Sequence, residues 1–455
     1  MMKKNIHFQW LILGFLILSQ GFTQWNEVSV DDSIIKLNEI SILEDGVAYV
    51  AVGGALNSIP EGGVLKTLDY GQSWQLLTCP AADNGISMVT TSFRDQFTGF
   101  VGGSNVMNMR TLDGGTSWTY NSFDTPESIR RVRWLNDSTA IVMDKKGKLF
   151  TSRNTGETWE MNSALNDILP SIHNNASTMA LEIIDEYNWI AAGKKGALVS
   201  TSNGGQSWGV LIHSAGTPVF QDIDAFDVNN WTVVGTNGTA LMTHNGGQNF
   251  IDLNLDPNNS AKYQAVSYAD SSNIMIGGIT VSSSGYGVIH SSSDGGQTWE
   301  DESFGGNDIY GFSIRDIYMY EPGLAIAIGD ANPGAKVFLL GQHIFFGDVN
   351  ADSLLDVLDL QRLMEIVSQS GIPANEDELL IIDMNRDLSY DVLDAVLLVE
   401  AVMDFNESPD STSRSSNSVG STYSDASSHN GYSVSQTKGH RMKRIFANRL
   451  RKFNI

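Results

Sequence analysis

One eight-residue pattern constrains this chain more than anything else in it. It runs Thr67-Leu68-Asp69-Tyr70-Gly71-Gln72-Ser73-Trp74 and returns at Thr111 to Trp118, Ser152 to Trp159, Thr201 to Trp208, Thr243 to Phe250 and Ser292 to Trp299. The closing aromatics recur every 41 to 49 residues, the length of one four-stranded blade of a β-propeller. Asp or Asn followed by Gly supplies the left-handed backbone positions of a tight hairpin, and the hydroxyl and carboxylate side chains bond to nearby amides. The acids of the pattern are therefore turn formers, not candidate catalysts. The aromatic that closes each copy starts the next strand and is placed to bury a large surface between blades.

A second repeat runs ahead of the first. Short apolar strands end at glycine in Ala51-Val52-Gly53, Phe100-Val101-Gly102, Ala191-Ala192-Gly193, Val233-Val234-Gly235, Met275-Ile276-Gly277 and Ala327-Ile328-Gly329, while Ile141-Val142-Met143 lacks the glycine. A glycine there marks a turn or a close backbone approach. These strands number one more than the octapeptides. The surplus unit has expected strands at Ile314 to Tyr318, Leu324 to Ile328 and Lys336 to Leu340 but no octapeptide after them. Thr23-Gln24-Trp25-Asn26-Glu27-Val28 reads as the end of an octapeptide and the strand that follows it, so the N-terminal strand is expected to complete the last blade and close the ring. The expectation is an all-β seven-bladed propeller over residues 24–343.

The combination of apolar-Gly strand and Thr-x-Asp-Gly-Gly-x-Ser/Thr-Trp, as in Thr111 to Trp118, resembles the photosystem II stability/assembly factor type of Asp-box (BNR-repeat) propeller. The resemblance covers roughly residues 25–342. Asp boxes also occur in sialidases, xyloglucanases and sortilin-like receptors, so the box implies a fold and not an activity. The arginine-bearing motif of sialidases is absent, and the paired carboxylates of a xyloglucanase lie between two propellers where this chain has residues for one.

The channel at the centre of a propeller is lined by the innermost strand of each blade. Alignment of those strands brings Arg131, Arg133, Glu182, Asp222, Asp224, Asp316 and Tyr318 to channel-proximal positions. Residues two apart share a face. These charges form either a ligand site or a salt-bridged pore lining, the second being the simpler account because buried charges need partners in any case. Lys145, Lys146 and Lys148 make a local basic turn, read as a solvated hairpin tip.

The remaining segments point to the compartment and to attachment. Lys3 and Lys4 followed by the apolar run Trp10 to Leu18 read as a secretory signal peptide over 1–23. The run is short of the ~20 residues that span a bilayer, and no later stretch is long and apolar enough, so no transmembrane segment is expected after cleavage. A single cysteine, Cys79, permits no internal disulfide. A net charge of -24 disfavours nucleic acid as a partner and suits a solvated extracellular or cell-surface protein.

Two copies of a calcium-loop pattern follow within residues 346–404. Asp348, Asn350, Asp352, Leu354, Asp356 and Asp359 hold positions 1, 3, 5, 7, 9 and 12 of the first loop, and Asp383, Asn385, Asp387, Ser389, Asp391 and Asp394 those of the second. Position 7 contributes its backbone carbonyl, and the spacing is that of an EF-hand-type loop, so two calcium ions are expected. Each loop leads into an apolar helix, Leu360 to Val367 and Ala395 to Met403, with none before it. Loop-helix repeated twice with Asp at position 12 resembles a dockerin domain, which implies a cohesin-like or other surface protein as docking partner. Position 6 departs from Gly, as Ser353 and Leu388, and the apolar pairs Val357-Leu358 and Val392-Leu393 serve either docking or core packing.

Residues 405–437 are Ser-rich with the composition of a disordered linker, and 438–455 form a basic tail that is either a short amphipathic helix or an unstructured end. Three functions fit this organisation. The first is a secreted, non-catalytic binding or scaffold protein, whose propeller takes a protein or glycan and whose dockerin-like module attaches it to an assembly. The second is a dockerin-bearing glycoside hydrolase, and the third a photosystem II assembly factor-like chaperone.

Overall fold

The computed structural model describes residues 25–341, apart from short segments at 44–45, 56–61, 80–86, 105–107, 122, 124, 214, 259, 281–284, 303–311 and 331–333, together with a helix at Val357–Val367. The expected signal peptide, the two calcium loops up to residue 356 and from 383, the helix from Ala395 and the segment 405–455 lie outside the described residues. No described helix is long and apolar enough to cross a membrane.

Residues 25–341 form seven four-stranded antiparallel sheets. Numbered by the chain, the innermost strands of blades 1 to 7 are Ile34–Ile42, Met88–Phe93, Ile129–Trp134, Ser177–Ile183, Phe220–Ala225, Ala261–Tyr268 and Ser313–Glu321. Each packs against the next, and the seventh packs against the first. Blade 7 takes its outer strand from the other end of the chain: Trp25–Val28 pairs with Ala335–Leu340 in the register Trp25↔Leu340 to Val28↔Val337. That pairing supplies blade 7 with its fourth strand and ties the first-read and last-read parts of the ring together.

The core is divided into seven clusters, one per blade junction, and each contains one closing aromatic. Trp74, Trp118, Trp159, Trp208, Phe250 and Trp299 occupy six of them. Trp25, only 4% exposed, occupies the seventh with Phe312, Ile317 and Phe338. Trp25 is thus the seventh member of the aromatic series although its octapeptide is incomplete. Each such side chain buries on the order of 200 Å², worth about 5 kcal/mol of transfer free energy before entropy is charged against it.

The octapeptides are hairpins held by their own side chains. In the second copy the Thr111 hydroxyl donates to Asp113 (2.8 Å) and accepts from the Gly115 amide (2.8 Å), while Asp113 accepts from the Ser117 amide (2.8 Å). Trp118 donates its indole N–H to the Gly115 carbonyl at 3.0 Å. Gly114 and Gly115 carry φ of +71° and +94°, which is why the pattern needs glycine. A second turn repeats between the first and second strands of the blades and went unread in the sequence. There Asp95, Asp185, Asp227 and Asp270 each accept from the amides two and three residues on.

In blades 4, 5 and 7 the glycine that ends the apolar strand faces a bulge, and in blades 2 and 6 the glycine that faces it is the following one, Gly103 and Gly278. In blades 2 to 7 the register between the first two strands shifts by one residue, which leaves Val89, Arg130, Met179, Gln221, Gln264 and Arg315 unpaired. The bulge pushes the inner strand toward its neighbour: a Cβ on Gly193 would sit 1.9 Å from the Ser177 carbonyl oxygen, and one on Gly329 2.0 Å from that of Ser313. Blade 3 has Asp144 at this place, opposite Ile129. Its fully buried carboxylate accepts from the Lys146 amide (2.8 Å), the Lys148 amide (2.9 Å) and the Thr125 hydroxyl (2.7 Å). The basic turn is therefore a hairpin built on an acid. A helix at Ala164–Ile172, not expected from the sequence, lies against it through Leu165 and Leu169 beside Gly147, and its insertion lengthens the spacing between Trp159 and Trp208.

Candidate functional site: the central channel

The bulge sets the register of the inner strand in blades 2 to 7. Directly after it, and at the matching places of blade 1, two alternate positions share one face of the strand. The first is Glu39, Thr90, Arg131, Ala180, Asp222, Ala265 and Asp316 in blades 1 to 7, and the second Ser41, Ser92, Arg133, Glu182, Asp224, Ser267 and Tyr318. A cavity of about 190 Å³ is lined by members of both rings, among them Glu39, Arg131, Arg133, Glu182, Asp222, Asp316 and Tyr318.

Most acceptors in these rings stitch one blade to the next. Inner strands of neighbouring blades diverge and cannot form a ladder, so their amides need side-chain partners. At the first position Glu39 accepts from the Thr91 amide (3.2 Å), Thr90 from Val132 (3.1 Å), Asp222 from Val266 (3.1 Å) and Asp316 from Ile40 (2.8 Å). At the second, Ser41 accepts from Phe93 (2.9 Å), Asp224 from Tyr268 (2.8 Å) and Ser267 from Met319 (3.0 Å). The seventh-to-first contact, Asp316 to Ile40, obeys the same rule as the rest.

Blade 3 departs from the rule because arginine cannot accept. Arg131 and Arg133 instead reach across the channel to blades two places away. The Arg133 Nη1 lies 2.8 Å and the Arg131 Nε 3.4 Å from Glu39 Oε1, and the Arg131 Nη2 lies 3.8 Å from Asp222 Oδ1. The Arg131 Nε–H is not aimed at a hydrogen-bond acceptor, so its contact with Glu39 is a charge interaction without a directed bond. Burial opposes the charge on Arg133, but the Glu39, Glu182 and Asp222 carboxylates outweigh it and raise its pKa above the ordinary guanidinium value. Burial likewise pushes Glu39 up, and the charges of Arg133 and Arg131 with the Thr90 hydroxyl outweigh it and hold the carboxyl below its ordinary range.

Of the seven residues expected here, Arg131, Arg133, Glu182, Asp222, Asp316 and Tyr318 line one cavity, whereas Asp224 is fully buried beside it, on the Tyr268 and Ala225 amides. Glu39, the acid on which both arginines converge, went unread. Its register in Ile34–Ile42 was obscured by repeated irregularities of pairing in that strand. Among the described residues no cluster of three or more His, Cys, Asp or Glu side chains is arranged to hold a metal. The expected calcium ligands other than Asp359 lie outside the described residues. Asp359 falls within the helix Val357–Val367, which starts three residues earlier than expected, at position 10 of the first loop.

A family model described as photosynthesis system II assembly factor YCF48 matches residues 66–217. A solved structure of YCF48 bound to D1 peptide aligns with TM-score 0.56 at 16% identity, over 71% of this chain and 96% of that one. YCF48 from Cyanidioschyzon merolae aligns with TM-score 0.55 at 16% identity, over 70% and 98%. The GH74 xyloglucanase from Xanthomonas campestris gives 0.53 at 12%, over 69% of this chain and 53% of the enzyme. The likeness is one of fold. No curated protein sequence matches the chain. The propeller is similar in architecture both to a peptide-binding assembly factor and to half of a polysaccharide hydrolase, so the choice between binding and catalysis rests on the channel itself.

Proposed function

We propose that the protein is a secreted, non-catalytic binding or scaffold protein, in which the propeller takes a protein or glycan ligand and a dockerin-like module attaches it, through calcium, to an extracellular or cell-surface assembly. One observation carries the first half: the channel acids Glu39, Asp222, Asp224 and Asp316 accept the inner-strand amides of the next blade. A carboxylate engaged as a backbone acceptor is committed to the fold and fixed in place, whereas a glycosidase needs one carboxyl that carries a proton to the leaving group and a second at set distance across the sugar. The solved structure of YCF48 with a D1 peptide makes a protein ligand the nearer precedent for such a ring.

The attachment half rests on the two loops of identical ligand spacing. That the helix Val357–Val367 begins within the first loop, with Asp359 in its opening turn, supports it, since position 12 of such loops stands at the head of the exiting helix. Asp348, Asn350, Asp352, Leu354, Asp356 and Asp359 would hold one ion and Asp383, Asn385, Asp387, Ser389, Asp391 and Asp394 the other. The bound ions would supply folding energy to a segment with little core of its own.

Calorimetric titration of the full chain with calcium tests the module. The expected result is binding of two ions with a gain of helical circular dichroism, and retention by isolated cell envelopes that a chelator reverses. Absence of calcium binding, or envelope retention indifferent to chelator, overturns the attachment. Release of reducing sugar from xyloglucan or other polysaccharides overturns the non-catalytic propeller.

A further inference from the structure

Hairpin topology gives the two faces of the propeller different chemistry. In an antiparallel blade the turn between the first and second strands and the octapeptide turn between the third and fourth lie at the same end. Backbone bonds tie the two together: the Gly114 amide donates to the Phe97 carbonyl (2.8 Å) and the Gly204 amide to that of Tyr187 (2.9 Å). Among the described residues these turns hold ten aspartates and glutamates and two arginines, whereas the turns and connections of the opposite face hold six acids and four lysines. One of the two arginines, Arg94, is already paired with Asp95 at 2.8 Å. The Asp294 carboxyl is held down at about 2 by hydrogen bonds from the Thr298 hydroxyl and amide.

Exposed apolar side chains gather on the same face. Leu68, Phe97, Leu112, Tyr187 and Val228, each 39–60% exposed, stand in these turns, against Ile212 alone in the described segments of the other face. Leu68 and Leu112 hold the second position of neighbouring octapeptides, where blades 4 and 6 have Ser202 and Ser293, so the hairpin itself does not require leucine. The box carboxylates are unevenly spread as well. Asp69, Asp113 and Asp294 belong to blades 1, 2 and 6, on either side of blade 7, while blades 3 to 5 have Asn154, Asn203 and Asn245. Blade 7 is where the chain leaves: Leu340 ends its third strand, so the chain departs from this face, at the place an octapeptide fills in the other blades.

An acidic face with exposed leucines is complementary to a cationic amphipathic segment, and the chain contains one. Residues 438–455 carry seven of the 28 lysines and arginines and no acid, and Met442, Ile445, Phe446, Leu450 and Phe453 recur at the spacing of one face of a helix. We infer that the octapeptide face of the propeller, from blade 6 through blade 7 to blade 2, is the docking surface for this tail. The tail lies outside the described residues, but the chain that leads to it starts on that face, and a tethered segment meets its site at an effective concentration on the order of millimolar. A weak intrinsic attraction is then enough. Docking sets seven cations against the acidic sector, covers Leu68 and Leu112, and leaves the opposite face to a ligand. The inference rests neither on the calcium module nor on what the propeller binds.

Trypsin digestion of the full chain, read by mass spectrometry, compares cleavage after Arg441, Lys443 and Arg444 with cleavage after Arg414 in the Ser-rich segment. At low salt the tail sites should be cut about tenfold or more slowly than Arg414, which corresponds to a tail docked about nine-tenths of the time. At about 1 M salt, where charges are screened within ~3 Å, the rates should converge. The variant Asp69→Asn/Asp113→Asn/Asp294→Asn should lose the protection at low salt and melt within about 2 °C of the parent, since asparagine fills the same place in three other boxes. Should it melt lower, Leu68→Ser with Leu112→Ser, which copies the serine of blades 4 and 6, decides the matter by the same loss of protection. Tail sites cut as fast as Arg414 at low salt, or protection unchanged in a variant that melts like the parent, overturn the proposal. Protection that disappears on dilution overturns it too, because it assigns the tail to the face of a second copy.

Discussion

Replacement of Glu39 by glutamine tests the account of the channel most directly. The Glu39 side chain is almost wholly buried, accepts from the Thr91 amide and lies 2.8 Å from Arg133 and 3.4 Å from Arg131. Glutamine keeps the shape and can still accept from Thr91, but it leaves two buried guanidinium groups with Asp222 and Glu182 alone. Removal of one partner from a buried ion pair costs about 3–5 kcal/mol. In a body of this size ~2 °C of melting temperature accompanies each kcal/mol, so Glu39→Gln should melt about 6–10 °C below the parent near neutral pH. The pH dependence supplies a second check. The folded pKa of Glu39 lies below its ordinary value of 4.5, so its contribution is complete above that value and is lost as pH falls through the folded pKa. The gap between parent and variant should therefore be constant above about pH 5 and shrink below about pH 4. Calorimetric or circular-dichroism melts across this range measure both. A variant within about 1 °C of the parent at neutral pH, or a gap unchanged into acid, would refute the view that Glu39 anchors blade 3 across the channel.

Two further predictions concern the frame. Trp25→Ala should destabilise the propeller by about 3–5 kcal/mol in denaturant melts, as the loss of a buried tryptophan does, and a cost below about 1 kcal/mol would mean that the N-terminal strand does not close the ring. Burial pushes the Cys79 thiol up to about 12, so iodoacetamide near pH 8 should leave native protein unlabelled and modify it fully in guanidinium; rapid labelling without denaturant would contradict the packing at the junction of blades 1 and 2.

The blade count and the closure of the ring were legible in the sequence because their signals are local. A hairpin that needs Asp-x-Gly, or an aromatic that opens a strand, depends on neighbours a few residues away and repeats with the blade. Trp25 could be read as the stray seventh aromatic for the same reason. The helix Ala164–Ile172 was not legible, since it is a short insertion whose apolar face has meaning only against Gly147 and the turn built on Asp144.

The chain by itself determined that seven sheets form, which residues turn, and that Arg131, Arg133, Asp222 and Asp316 belong to the innermost strands. Only the tertiary structure decided what those charges do. Whether a carboxylate on an inner strand is a ligand group or a stitch depends on the amide of a blade 44 to 52 residues further along the chain, and the pairing of Arg133 with Glu39 spans two blades. Local geometry is written in residue type and spacing, whereas electrostatic partnership is a property of distance in space, which closure of the ring alone sets.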